Sequence, residues 1–142
     1  MINWTAHKYP DHDQVSLSDN GYEIENARIT DVDLSMADHG VLTLELALQG
    51  SGWACVYGGY VIGQGYLNAE EFRGSAVGME SIMRIMDVVG VESFNDMKDK
   101  IVRVATKGWG SSVRIIGNVM SDKWFDIDSF FKDEKETEGE SN

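Results

Sequence analysis

Residues 41–48 read Val41-Leu42-Thr43-Leu44-Glu45-Leu46-Ala47-Leu48. In an extended chain Leu42, Leu44, Leu46 and Leu48 project to one side, and Val41, Thr43, Glu45 and Ala47 to the other. Leucine is a good helix former, but strict alternation between two turn signals predicts a half-buried strand. The upstream signal is Ala37-Asp38-His39-Gly40, where Asp can bond its local backbone and Gly supplies positive φ. The downstream signal is Gln49-Gly50-Ser51-Gly52. Short turns at both ends make the neighbouring segments antiparallel partners of this strand.

Those neighbours carry strand chemistry. Tyr22–Leu34 is rich in β-branched residues (Ile24, Ile29, Thr30, Val32), with an irregularity expected around Asn26–Arg28. Trp53–Ile62 is apolar on both faces and contains Gly58-Gly59, a mark of a bulge, a bend or close backbone approach. Gly63-Gln64-Gly65 ends it.

The period then changes. Ser75 is placed to cap a helix reaching about Val89, with Met79, Ile82, Met83 and Met86 at i, i+3, i+4 and i+7 as its expected buried stripe and Gly90 as its stop. Ser93 with Asp96 predicts a short second helix through Lys98. Ile101–Thr106 and Ser112–Met120 read as a hairpin turned by Lys107-Gly108-Trp109-Gly110, and the aromatic piece from Trp124 to Phe131 is expected to dock back on the sheet. The order is β-β-β-α-α-β-β. This predicts an α+β fold: a mainly antiparallel sheet of about five strands with one amphipathic and one short helix packed on it. Residues 21–131 form the domain. Residues 1–20, with Trp4 and Tyr9 as anchors, read as an irregular arm, and residues 132–142 as a disordered acidic tail without an apolar residue.

Charge narrows the function classes. There are 24 acids against 12 bases in 142 residues, a net charge of −12. Such a field repels phosphates, which argues against direct nucleic-acid binding and suits a protein partner with a basic surface. Cys55, the one cysteine, has no internal disulfide partner, and it sits in the apolar run 53–57 as a small hydrophobe. The first twenty residues lack an apolar core of signal-peptide type, and no stretch approaches membrane-span length, so the expectation is cytoplasmic and soluble.

Catalytic and metal motifs are not legible. Asp11-His12-Asp13 lacks Cys or His partners at zinc spacing and reads as solvated chain. The Gly-x-Gly pairs at 50/52, 63/65 and 108/110 lack the remainder of a dinucleotide fingerprint, and no Walker lysine follows any of them. No nucleophile, base and orienter can be assigned together, so no catalytic residue, cofactor or metal ligand is named. The expected site is a surface: Tyr60 as an aromatic anchor beside the carboxylates Asp31, Asp33 and Glu45. Alternation places Tyr60 on the strand face opposite Trp53.

Several segments, in order, resemble a family of small, largely uncharacterised proteins of tailed bacteriophages and prophages. They are Asp38-His39-Gly40-Val41-Leu42-Thr43, Gly58-Gly59-Tyr60, Gly78-Met79-Glu80, Ile85-Met86-Asp87-Val88-Val89-Gly90-Val91, Ile116-Gly117-Asn118 and Asp122-Lys123-Trp124-Phe125-Asp126. The apolar Leu44–Leu48 strand departs from that pattern, which implies a larger buried face or a homo-oligomer contact. The resemblance implies a counter-defence setting, with a non-enzymatic inhibitor of anti-CRISPR type occupying a basic surface of a host protein. The alternatives are a sponge for a small nucleotide signal, using Arg84, Arg103 and Arg114 for phosphate, a small enzyme whose site forms only in space, and a structural or replication-associated phage protein.

Overall fold

The computed structural model describes residues 12–65, 72–108 and 110–132. Seven strands form one antiparallel sheet: β1 Glu23–Asp38, β2 Val41–Gly50, β3 Trp53–Gly65, β4 Phe72–Gly74, β5 Ile101–Thr106, β6 Ile115–Gly117 and β7 Trp124–Asp126. Their spatial order is β4-β3-β2-β1-β5-β6-β7. The helices are α1 Gln14–Asp19, α2 Ala76–Val89 and residues 127–132 (α3), with a 3₁₀ turn at Phe94–Met97. The α+β class and the antiparallel sheet are as expected, but the strand count of about five is short by two. The additions, β4 and β7, have three residues each, too few to show a period.

The β1–β2 hairpin forms because His39 (φ 54°) and Gly40 (φ 80°) both take the left-handed region, as a two-residue turn matched to strand twist requires. Leu44, Leu46 and Leu48 are then at most 4% exposed, as the alternation of β2 demands. The irregularity expected at 26–28 lies slightly later, between Ile29 and Asp31, where β1 carries one more residue than β2.

The sheet is strongly curled. Tyr57 on β3 and Phe125 on β7 are separated by five strand spacings, about 24 Å in a flat sheet. Yet the buried Tyr57 hydroxyl donates to the Phe125 carbonyl at 3.0 Å. The concave face therefore wraps the main core, where Ile29, Leu46, Tyr57, Val102, Ile116 and Phe125 meet Ile85 of α2 and Phe130 of α3. On the convex face, α1 covers the β5–β7 end with Leu17 against Ala105, Ile115 and Trp124. Residues 14–19 of the predicted irregular arm are thus helical. Asp13 caps them, accepting from the Ser16 N–H at 2.7 Å, and Leu17 anchors them. Trp4 and Tyr9 lie outside the described residues, as do residues 133–142 of the acidic tail; Lys132 still belongs to α3.

Helix α2 has the predicted limits. Ser75 Oγ accepts from the Gly78 N–H at 3.0 Å, and Gly90 closes the helix at φ 89°. Its rotation differs from the expected stripe: Met79 and Met83 are 61% and 63% exposed, and the buried face is Gly78, Ser81, Ile85, Val88 and Val89. The cause is close approach at Gly78. A Cβ built there would stand 2.4 Å from Cβ of Ile62. The helix lies on β3 through its smallest residues, and the methionines turn outward. Phe94–Met97 forms the second short helix, without the side-chain cap that Ser93 suggested. Among the described residues, no helix is long and apolar enough to cross a membrane.

Candidate functional site

Three of the four expected surface residues come together. The bulge after Ile29 sets Asp31 across from Ala47, and Asp33 then stands directly opposite Glu45. Val32 and Leu46 point into the concave core between them, so all three carboxylates share the convex face. On β3, Val56 pairs with Ala47 and Gly58 with Glu45. Val56 and Val61 are 58% and 49% exposed. Ser35 Oγ donates to Asp33 at 3.0 Å, but none of the three acids forms an ion pair among the described residues. Arg28, earlier on β1, is engaged by Asp99 at 3.1 Å. Like charges directly opposed on neighbouring strands cost about 0.2–1 kcal/mol.

Tyr60 does not join them. Gly58 and Gly59 both have positive φ (101° and 87°), and β3 spends one more residue than β2 between the Glu45 and Thr43 pairings. The extra residue reverses the alternation, so Tyr57 and Tyr60 both face the core side. Tyr60 stacks on Phe131 of α3 with ring centroids 4.4 Å apart, and its hydroxyl donates to Asp128. Burial, then the bond to Asp128, hold its phenol well above the ordinary range. Asp128 also takes Arg114 at 3.0 Å. Tyr60 is a clasp between the sheet and α3, and the acids keep the convex face without it.

A second feature lies at the concave mouth of the sheet. A cleft of about 430 Å³ is lined by Glu23 and Glu25 of β1, Trp53 and Cys55 of β3, Thr106 of β5 and Val113 of the following loop. The Trp53 indole N–H donates to Glu25. Its ring lies on Gly50, where a Cβ would come within 2.1 Å of the indole. Burial raises the Cys55 thiol, which disfavours the thiolate. Neither described histidine lines the cleft: His12 stands 3.5 Å from Asp126 and His39 sits in the β1–β2 turn. Among the described residues, no three His, Cys, Asp or Glu side chains are placed to hold a metal ion.

The arginines suggested for phosphate are each engaged elsewhere. Arg84 holds Glu80 at 2.7 Å, Arg103 bonds the carbonyls of Asn118 and Ser121 and lies over Trp124, and Arg114 is the partner of Asp128. Sequence reasoning singled out Trp53 but missed Glu23 and Glu25. The signal was present: they occupy the same alternation as Ala27 and Ile29, which are core. Comparison of the chain with protein-family models, with curated proteins and with solved structures finds no match.

Proposed function

We propose that this chain is a non-enzymatic binding protein whose convex acidic face docks on a basic surface of a partner protein and blocks it. The observation behind this reading is the opposed pair of exposed Asp33 and half-buried Glu45, flanked by exposed Asp31 and matched by no cation among the described residues. The arrangement weakens the free sheet, and a lysine or arginine from a partner would relieve it. Val56 and Val61 supply the apolar part of such an interface. The net charge of −12 steers encounter with a basic partner and repels nucleic acid. In the phage setting that the resemblance implies, the partner is a host factor in the cytoplasm, and the role is counter-defence inhibition of the anti-CRISPR kind.

The test is retention of a host protein by the immobilised chain, identified by mass spectrometry, followed by affinity measurement with Asp31→Lys/Asp33→Lys. Binding should fall at least tenfold in the double variant and weaken as salt rises, because exposed charges are screened over about 8 Å at physiological ionic strength. A partner held equally by the variant, or indifferent to salt, refutes this reading. Recovery of a bound nucleotide instead of a protein would favour the sponge alternative. That alternative must place phosphates near Glu23 and Glu25 if it uses the cleft.

A further inference from the structure

We infer that the cleft at the concave mouth of the sheet is a binding site for an organic cation, an ammonium or guanidinium group on an alkyl stem. Along β1 the side chains alternate between the core and the convex face. Its inward positions are Glu23, Glu25, Ala27 and Ile29, pairing with β5 so that Glu23 faces Thr106 and Ala27 faces Val102. Ala27 and Ile29 are 3% and 0% exposed, so the row that builds the core ends in two carboxylates aimed along the same side. Glu23 is exposed at the rim and Glu25 is half-buried beside the Trp53 indole, so the two place negative charge at the mouth of the cleft. Neither glutamate forms an ion pair among the described residues, and none of the described residues lining the cleft is basic. The nearest lysine in sequence, Lys107, is drawn to the convex side, where it lies 4.2 Å from the Tyr22 ring and donates to the Asn20 carbonyl.

The remaining walls fit the same ligand. Trp53 is fixed by its bond to Glu25 and by its seat on Gly50, which leaves the indole as a rigid wall of the cleft. An indole face attracts a cation, and the carboxylates beside it add a formal charge. Cys55 and Val113 offer apolar surface for a stem. Thr106 is more than nine-tenths buried and also lines the cleft. Its Oγ1 accepts one long bond, 3.4 Å from the Gly108 N–H, and its own proton has no acceptor among the described residues. A volume of about 430 Å³ falls within the range of small-ligand sites and exceeds what a single water needs. An anion is disfavoured by the two glutamates, and a neutral aromatic ligand would leave their negative charge without a counter-charge.

The same chemistry can arrive as an arginine or lysine side chain of a protein or as a free polyamine, and the experiment separates the two. The indole N–H resonance of Trp53, assigned by its loss in Trp53→Phe, is followed in ¹⁵N NMR during titration. The probes are N-acetyl-arginine amide, an arginine-containing tetrapeptide, spermidine, and N-acetyl-citrulline amide as the neutral isostere. The cationic probes should give a saturable shift that citrulline does not, and Glu23→Gln should weaken binding about tenfold. Gly50→Ala, which lifts the indole from its seat, should abolish the saturable shift while circular dichroism shows the sheet retained. Tighter binding of the peptide assigns the site to a partner's side chain; tighter binding of spermidine assigns it to a free amine. An equal response to citrulline, or no saturable response to any cation, overturns the inference. Asp31→Lys/Asp33→Lys lies on the opposite face and should leave this titration unchanged, so the cleft and the convex surface stand or fall separately.

Discussion

Truncating Ile85 and Met83 to alanine, one at a time, decides which side of α2 is buried. The two residues differ by half a turn, and the apolar stripe legible in the sequence would bury Met83 as one of its four members. In the structure Ile85 is 1% exposed and Met83 63% exposed. Ile85→Ala removes three carbons from a site facing the sheet. At about 0.8 kcal/mol per buried methylene, the transfer loss alone is about 2.4 kcal/mol, and an unfilled cavity brings the expected total to about 2–5 kcal/mol. Met83→Ala removes atoms already largely in water and replaces one good helix former by another, so its effect should stay within about 0.5 kcal/mol. A protein of this size is stabilised by roughly 5–15 kcal/mol, so the first change is a large fraction of the whole and the second is small against it. Urea unfolding followed by far-UV circular dichroism reads both. Ile85→Ala should lower the midpoint markedly at constant m-value, and Met83→Ala should superimpose on the parent. Equal losses, or a greater loss at Met83, would refute the placement of the helix.

Gly58→Ala should be severe, by about 3 kcal/mol or more, because the position has φ 101° and a Cβ there would stand 2.5 Å from the Leu44 carbonyl oxygen; thermal unfolding measures it. Ser75→Ala removes the acceptor for the Gly78 N–H and should cost about 1 kcal/mol in the same urea assay. Tyr60→Phe should flatten the alkaline stability profile. The folded phenol titrates above its unfolded value, so its contribution is complete below about pH 10 and is lost as pH rises beyond, where the unfolded chain alone ionises. A parent and variant that lose stability in parallel above that pH would show that another group governs alkaline unfolding.

Local chemistry made much of the fold legible. The leucine alternation of β2, the His39-Gly40 turn, and the caps Ser75 and Gly90 each act through a neighbour a few residues away, so the sequence displays them directly. The rotation of α2 was hidden because two stripes overlap on one helix. Ile82 and Met86 pack against the core in either case, and the residues that decide between the stripes are Gly78 and Ser81. These score as weak on any hydrophobic count, yet their smallness is what admits Ile62. A hydrophobic period reports apolar content, whereas close packing selects for shape.

The acidic site turned on single-residue irregularities that no period can count. Asp38 pairs with Val41, and counting straight back from that turn would set Asp33 across from Leu46, inside the core. An extra β1 residue between Ser35 and Asp38 shifts the pairing by one, so that Asp33 meets Glu45 on the convex face. On β3 the same kind of insertion at Gly58-Gly59 acts in the other direction and carries Tyr60 inward to Phe131. A one-residue slip exchanges the two faces of a strand, so each bulge decides whether a side chain serves the core or the surface. The two bulges together leave carboxylates opposed on an open face while placing Tyr60 behind it. The chain retains this arrangement although like-charge opposition destabilises the free sheet. Replacing Glu45 with glutamine should therefore raise the melting temperature slightly and weaken partner binding at the same time. A variant that gains stability without losing affinity would show that the opposed pair has no part in recognition.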